Sequence, residues 1–365
     1  MVYRTIGLMS GSALDGLDIV FVELHENARR WQYEILASAT YPYPEEWVEK
    51  LRTATSLNAL DYQLLHTDYG HYIGQQVNEF INRHGLQYKV QLIASHGHTS
   101  FHMPSRRMTA QLGDGAAIAA ETGINVVSDL RAMDVALGGQ GAPIVPVGEK
   151  LLLGEYDLFL NIGGIANLSY NHPGQYSAFD VCPGNRVLNM LAAKRQLHFD
   201  EGGALAAAGS LQPDLLEMLN DLEYYRLPAP KSLANDFGVH VVFPLLMGTS
   251  YSLEDKLRTY VEHIALQVRR SAEAVLAEKP AAGEARLLIT GGGAHNTFLV
   301  ERLRSQLQEI GVEVVVPDEL LVDFKEAIVM ALIGVLRWRE EKNVFSSVTG
   351  SQRDSIGGAV WVGQD

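Results

Sequence analysis

The chain has 365 residues, 47% of them hydrophobic, and a net charge of −14. That length allows two ordinary domains with sizeable cores, and the acidic balance excludes nucleic acid as the expected partner, because a phosphate backbone requires basic patches. The single cysteine, Cys182, excludes an intrachain disulfide or a Cys-rich metal site and suits a reducing compartment. The longest apolar stretch, Ala327 to Leu336, is too short to cross a bilayer, and the first residues enter a strand without a signal pattern. The expectation is a cytoplasmic protein without nucleic-acid or membrane partners.

An apolar run from Val2 to Leu8 and another from Ile19 to Leu24 flank the turn Gly7-Leu-Met-Ser-Gly-Ser-Ala-Leu-Asp-Gly-Leu-Asp18. They read as two strands joined by a glycine-bearing hairpin. Gly11 and Gly16 allow close backbone approach, and Ser10 and Ser12 add hydroxyls, which suits an anion site. Asp15 and Asp18 become reasonable beside a phosphate once a hydrated Mg²⁺ is included. The bland alternative is a surface hairpin.

A third strand is expected at Tyr33 to Thr40, a helix at Leu57 to Arg83 and a strand at Val90 to Ser95, ending in Ser95-His-Gly-His98. A helix from Gly115 to Glu121 and a strand from Ile124 to Ser128 follow. The segment Gly138 to Pro146 reads as a crossover rich in hinge-capable residues. The pattern then repeats. Leu158-Phe-Leu-Asn-Ile-Gly-Gly-Ile-Ala-Asn-Leu-Ser-Tyr170 is a second glycine hairpin, with Asn161 lying 150 positions beyond Gly11. A strand at Tyr176 to Asp180, a helix at Leu253 to Ala277, a strand at Arg286 to Thr290, a helix at Thr297 to Glu309, a strand at Glu313 to Val316 and a helix from Lys325 to Lys342 complete it. The insertion from Gly202 to Pro244 is expected to contribute to a mobile rim.

Each half therefore reads β-β-β-α-β-α-β, a mixed sheet with helices on both faces. The expected lobes are residues 1–130 and 131–344, with 345–365 packing back on the first. Gly291-Gly-Gly-Ala-His-Asn296 adds a third glycine turn between a strand and a helix, suited to close approach of a nucleotide. The alternatives are a turn needing positive φ or a dinucleotide site, but G-x-G-x-x-G is absent.

Asp180 ends a strand in Phe179-Asp-Val-Cys-Pro-Gly-Asn185 and reads as a general base, against an Asx-turn or cap alternative. His96, His98 and His102 lack the companions of a zinc motif and read as polar substrate contacts. Cys182 reads as a packing residue. Glu326 is divided between a cleft role and merely favouring a helix N-terminus, and Arg131, Asp134, Asn185 and Lys231 are lesser candidates.

These residues carry a resemblance. Gly7 to Asp18, Ser95-His-Gly97, Gln111-Leu-Gly-Asp114, Asp134 to Pro146, Asn161 to Asn167, Phe179 to Asn185, Gly291 to Asn296 and Ser347-Val-Thr-Gly350 run in the same order as in the anhydro-N-acetylmuramic acid kinases. The chain resembles that family, within the sugar kinase/heat-shock protein 70/actin superfamily. The resemblance implies a two-lobed actin-like, ribonuclease H-like duplicated fold with an ATP cleft between lobes.

It further implies ATP-dependent phosphorylation of O6 of 1,6-anhydro-N-acetylmuramic acid while water opens the anhydro ring. The product would be N-acetylmuramic acid 6-phosphate, used in peptidoglycan recycling. Asp180 would be the catalytic base. Gly11, Ser12, Ala13, Leu14, Asp15, Gly16, Leu17 and Asp18 would bind ATP, with Asn161, Gly163, Gly164, Gly291, Gly292 and Gly293. Asp15 would hold Mg²⁺ through water, and His96, Gly97, Asn185 and Glu326 would meet the amino sugar. Homodimers are the family's habit. The chain differs from the family pattern at Ser12-Ala13, His98, Val147-Gly-Glu-Lys150, Val181-Cys182 and Lys231 to Asn235. A kinase for a related sugar, or a nucleotide-switched binding protein without sugar chemistry, is the alternative.

Overall fold

A computed structural model describes residues 1–11, 14–172, 175–229, 231–233, 235–278 and 283–364. The chain opens with three antiparallel strands, β1 (Val2–Ser10), β2 (Gly16–Asn27) and β3 (Arg30–Pro42). Helix α1 (Ala59–His84), β4 (Leu92–Ser95), the hairpin β5 (His98–Met103) and β6 (Met108–Leu112), helix α2 (Gly115–Thr122) and β7 (Val126–Ser128) follow. A second meander comprises β8 (Leu158–Ile162), β9 (Ile165–His172) and β10 (Gln175–Pro183). It leads to α3 (Leu253–Glu278), β11 (Ala285–Thr290), α4 (Thr297–Gln308), β12 (Val312–Val315), α5 (Glu319–Trp338) and a last strand, β13 (Ala359–Trp361).

The two sheets have the same plan. One runs β13-β7-β4-β1-β2-β3, the other β10-β9-β8-β11-β12. In each, the first strand pairs antiparallel with the second and parallel with the fourth. This is the duplicated ribonuclease H-like order expected of an actin-like chain. Register sets the equivalence: Leu8 pairs with Ser95 in one sheet, and Asn161 with Thr290 in the other. Leu8, not Gly11, is therefore the counterpart of Asn161, and the first hairpin carries the longer turn.

The chain divides into two compact units, Met1–Leu153 with Phe324–Asp365, and Gly154–Asp323. The C-terminal strand β13 pairs with β7, so the terminus does join the first unit. The boundaries differ from the expected 131 and 344, because packing carries residues 131–153 and most of α5 into the first unit. A Cβ on Gly148 would overlap the Val329 side chain, and one on Gly334 would meet Ala94 at 2.5 Å. Lys325 and Glu149, both almost fully buried, form an ion pair at 2.9 Å. Breaking one partner of such a pair strands a buried charge.

The crossover is pinned within the first unit. Asp134 Oδ2 accepts the Gly141 N–H at 2.7 Å, its Oδ1 accepts the Thr349 hydroxyl at 2.7 Å, and the Gln140 N–H donates to the Thr349 carbonyl at 2.8 Å. The insertion expected as a rim is built of short helices whose Leu215, Leu219 and Val242 are fully buried in the second unit's core. Apolar burial of that extent holds the segment to the core.

Helix α5 begins at Glu319 rather than Lys325, since Asp318 Oδ1 accepts the Leu321 N–H at 2.8 Å and caps it. Gly7 lies where β1 passes under this helix, and a Cβ there would overlap the Ala327 carbonyl. Gly85, the left-handed cap of α1 at φ 62°, has open space around it. Gly7→Ala should therefore cost about 1–3 kcal/mol through overpacking. Gly85→Ala should cost about 1–2 kcal/mol through backbone conformation alone. Urea denaturation checks the prediction: an accompanying Ala327 shift in NMR spectra is expected only for Gly7→Ala.

Candidate functional site

In the second unit the chain brings three predicted segments together. The Asn185 N–H donates to the Gly163 carbonyl at 2.8 Å, and its side-chain amide donates to the Ile162 carbonyl at 3.1 Å. The Gly184 N–H donates to the Gly164 carbonyl at 2.9 Å. A Cβ on Gly291, at φ 80°, would lie 2.5 Å from Asn161 Oδ1, and one on Gly292 would lie 3.3 Å from the Asn185 amide. Asn161, Gly163, Gly164, Asn185, Gly291, Gly292 and Gly293 thus form one patch.

The glycines of this patch serve different ends. Gly291 and Gly293 lack side chains because Asn161 and Ile162 occupy the space. At Gly163 and Gly164 the nearest atoms a Cβ would meet are 3.7 and 3.9 Å away. There the main chain is bare with room beside it, a surface a phosphate or ribose can approach. Beside it, Thr290 Oγ1 is buried with no hydrogen-bond partner among the described residues. Ser95 Oγ, at the equivalent strand end of the first unit, is buried and unpartnered in the same way. A polar ligand at these strand ends suits both orphans.

Asp180 sits beside a β-bulge: it pairs with Asn167, Cys182 pairs with Ala166, and Val181 is the extra residue. The bulge lets Val181 and Cys182 both enter the core while Asp180 stays half-buried at its edge. Cys182 is fully buried in the core cluster, and burial pushes its thiol above the usual range. Asp180 Oδ2 accepts the Leu233 N–H at 2.8 Å and the Ser232 hydroxyl at 3.4 Å.

The Asp180 N–H donates to the Lys231 carbonyl at 3.0 Å, and its carbonyl accepts the Tyr224 hydroxyl at 2.7 Å. Oδ1 has no hydrogen-bond partner among the described residues. Desolvation raises the Asp180 pKa, opposed by the Leu233 and Ser232 hydrogen bonds. The result is one clamped oxygen, one open oxygen and enhanced basicity, the geometry of a proton acceptor. Lys231 Nζ lies 4.6 Å over the Tyr224 ring and donates to the Tyr224 carbonyl at 3.2 Å, bracing the same loop.

In the first unit, Ser12 and Ala13 lie outside the described residues. Leu14 has φ 60°, a left-handed conformation that a leucine adopts at a cost. Asp15 Oδ1 accepts the Gly16 N–H at 3.1 Å, and its other oxygen is unpartnered among the described residues. A single carboxylate of this kind fits Mg²⁺, which takes one or two carboxylates together with substrate phosphates. Gly16 owes its identity to packing, since a Cβ would lie 2.7 Å from the Tyr41 carbonyl. Leu17 is buried in the core, so its side chain is not available to a ligand. The Asp18 carboxylate accepts the Thr40 hydroxyl at 2.6 Å across the β2–β3 pair.

The Ser95-His-Gly segment adjoins β1, the His96 N–H donating to the Leu8 carbonyl at 3.2 Å. Gly97 has φ 70°, and a Cβ there would overlap the Leu112 carbonyl. His96 Nδ1 lies 2.8 Å from the Gly97 carbonyl, and its Nε2 lies 2.8 Å from Arg131 Nε. The guanidinium only donates, so Nε2 accepts and Nδ1 carries the proton. Burial, then the Arg131 charge, push the His96 pKa down to about 3. Arg131 also donates to the Gly141 carbonyl at 2.5 Å, and burial lowers its pKa to about 10 against the opposing charges of Glu326 and Asp134.

Sequence reading named His96, Gly97 and Glu326 as candidates, with Arg131 as a lesser one, but did not foresee the Arg131–His96 hydrogen bond. It also missed the Tyr224 and Leu233 contacts to Asp180, which bridge distant positions and leave no local pattern. Among the described residues, the one group of metal-ligating side chains close enough to share an ion is Glu23, His25 and Glu34, on β2 and β3.

Duplicated sheets of this order, with glycine turns at the strand ends, define a chain of the actin-like fold class. A family model described as anhydro-N-acetylmuramic acid kinase matches residues 3–363. The anhydro-N-acetylmuramic acid kinase of Vibrio parahaemolyticus is 34% identical over 95% of both chains. That of Haemophilus influenzae is 32% identical over 98% of this chain and 97% of its own, and that of Synechococcus elongatus 32% over 98% and 99%. The chain belongs to the anhydro-N-acetylmuramic acid kinase family.

The His96 geometry makes a prediction. The ring should stay neutral and Nδ1-protonated between about pH 5 and 8 in ¹⁵N NMR spectra, where an ordinary histidine titrates. Arg131→Ala removes one cause of the depression, so the His96 pKa should rise from about 3.

Proposed function

We propose that this chain transfers the γ-phosphoryl group of ATP to O6 of 1,6-anhydro-N-acetylmuramic acid while water opens the anhydro ring. The observation that carries the reading is the Asp180 carboxylate, clamped through one oxygen and open at the other. Asp180 takes a proton from water as the water oxygen bonds to the anomeric carbon. The C1–O6 bond breaks, O6 bonds to phosphorus, and the bond from the γ-phosphorus to the bridging oxygen of ADP breaks. The products are ADP and N-acetylmuramic acid 6-phosphate, and atoms and charge balance. The scheme resembles an inverting glycosidase in which phosphoryl transfer replaces the general acid.

The residues divide by role. The bare main chain at Gly163 and Gly164, with Asn161 and Gly291 to Gly293, supports nucleotide binding. The turn from Gly11 to Asp18 is assigned to the phosphates, through backbone N–H groups and Asp15. Mg²⁺, held by Asp15 through water, would neutralise charge on the phosphates when bound. His96, Gly97, Asn185 and Glu326 are assigned to the amino sugar, with Arg131 restraining His96.

The reading extends to a cytoplasmic homodimer acting in peptidoglycan recycling, without nucleic-acid or membrane partners. A net charge of −14 supports the first exclusion. Among the described residues, no helix is long and apolar enough to cross a membrane.

Asp180→Asn should lower kcat roughly 10²–10⁴-fold while leaving ATP affinity by calorimetry nearly unchanged. Mass spectrometry of the wild-type product should show the gain of both phosphate and water. Gain of phosphate alone, or an unchanged kcat in the variant, removes the base assignment.

The pH profile gives a separate check. Because the Asp180 pKa is raised, activity should fall on the acid side at a higher pH than an ordinary aspartate dictates. Ser232→Ala removes a hydrogen bond that lowers this pKa, so the acid limb should move higher still.

A further inference from the structure

A chain of buried polar side chains runs through the first unit to His98, which the sequence marked only as a polar residue facing substrate. Ser10, Tyr43, Tyr69 and His98 are 3%, 7%, 0% and 7% exposed. The Tyr43 hydroxyl donates to Ser10 Oγ at 2.8 Å. Tyr43 and Tyr69 hydroxyls lie 2.5 Å apart, and Ser10 Oγ lies 3.0 Å from His98 Nδ1.

Each hydroxyl has one hydrogen, which limits the directions the chain can take. Tyr43 spends its hydrogen on Ser10, so Tyr69 donates to Tyr43. Ser10 keeps its own hydrogen, and His98 Nδ1 is placed to accept it. A neutral ring that accepts at Nδ1 carries its proton on Nε2. Burial keeps every member in the required state: it lowers the His98 pKa, pushes Tyr43 up to about 12 and raises Tyr69 well above its ordinary value.

His98 Nε2–H is thus a donor on a ring more than nine-tenths buried, and it has no partner among the described residues. Nε2 is not one of the fully enclosed unpartnered side-chain atoms, so a ligand can reach it. Its position indicates which ligand. His98 follows His96-Gly97 directly, and Ser10 ends β1 one residue before Gly11.

We propose that His98 donates through Nε2–H to a carbonyl or carboxylate oxygen on an arm of the sugar, and that Tyr69, Tyr43 and Ser10 hold it in this donor form. The proposal rests on the kinase reading. Carbonyl and carboxylate oxygens only accept, so a donor with fixed polarity selects them over groups that present a hydrogen. His98 is a specificity residue, and Tyr43 a positioning residue acting through Ser10.

Steady-state kinetics and ¹⁵N-histidine NMR on the full chain test it. The wild-type spectrum should show His98 unprotonated at Nδ1 and protonated at Nε2, and the Nε2 signal should move when 1,6-anhydro-N-acetylmuramic acid is added. His98→Phe should raise the sugar KM roughly tenfold with ATP KM unchanged. His98→Gln, which keeps an N–H donor, should stay within about threefold of wild type. Tyr43→Phe should move the His98 proton toward Nδ1 and raise the sugar KM.

With 1,6-anhydro-N-acetylglucosamine, which lacks the lactyl arm, a lost His98→Phe effect assigns the lactyl carboxylate, and a retained effect assigns the acetamido carbonyl. A wild-type ring protonated at Nδ1, or an unchanged sugar KM in His98→Phe, overturns the proposal. A wild type that turns over neither sugar instead removes the kinase reading.

Discussion

The candidate site in each unit depends on one pairing, the parallel contact between the first and fourth strands of its sheet. Parallel strands end at the same edge, so the segments that follow them emerge side by side. In the second unit this sets Thr290 against Asn161, and the glycine turn after β11 falls onto Ile162. In the first unit it sets Ser95 against Leu8 and brings His96 to the β1 backbone. Ligand groups in sheets of this kind gather at the carboxyl ends of the strands for that reason. The orphaned hydroxyls of Ser95 and Thr290 occupy the same place in the two units, which argues that duplication preserved a binding edge as well as a topology.

The second requirement is to hold a carboxylate partly away from water without neutralising it. Asp180 meets this through main-chain partners. Its Oδ2 is held chiefly by the Leu233 N–H, and its own N–H is held by the Lys231 carbonyl. Backbone contacts do not depend on side-chain identity, so the segment from Lys231 to Asn235 can differ from the family pattern and still clamp the carboxylate. The bulge at Val181 supplies the rest, since it lets two successive residues face the core where a regular strand would bury only alternate ones. Val181 and Cys182 are tolerated there because that stretch is packing, not chemistry.

Much of this was legible in the sequence, and the pattern of what was not has a physical basis. The succession of strands and helices along the chain, both glycine hairpins and the candidacy of Asp180 follow from local signals: apolar runs, turn residues and a carboxylate at a strand end. The start of α5 was legible too, in Pro317-Asp318, but the longer apolar run after Lys325 masked the cap. The division between units was not, because it depends on the Lys325–Glu149 pair and on close approaches at Gly148 and Gly334 between distant segments. The glycines were read as one class, yet only a contact map separates Gly163 and Gly164, with room beside them, from Gly16, Gly291 and Gly293, which packing requires. Direction in a hydrogen-bond chain, as in Tyr69 to His98, leaves no trace in spacing.

Cys182 gives the molecule a built-in gauge. It is the chain's sole cysteine, it is fully buried in the second unit's core, and it stands two residues from Asp180. Burial both shields the sulfur and disfavours its thiolate, the form that reacts. Modification by a thiol reagent therefore has to wait for the second unit to open around β10. The labelling rate counts those openings one molecule at a time, without any engineered probe, and any ligand that binds the folded second unit will slow it in proportion to its affinity.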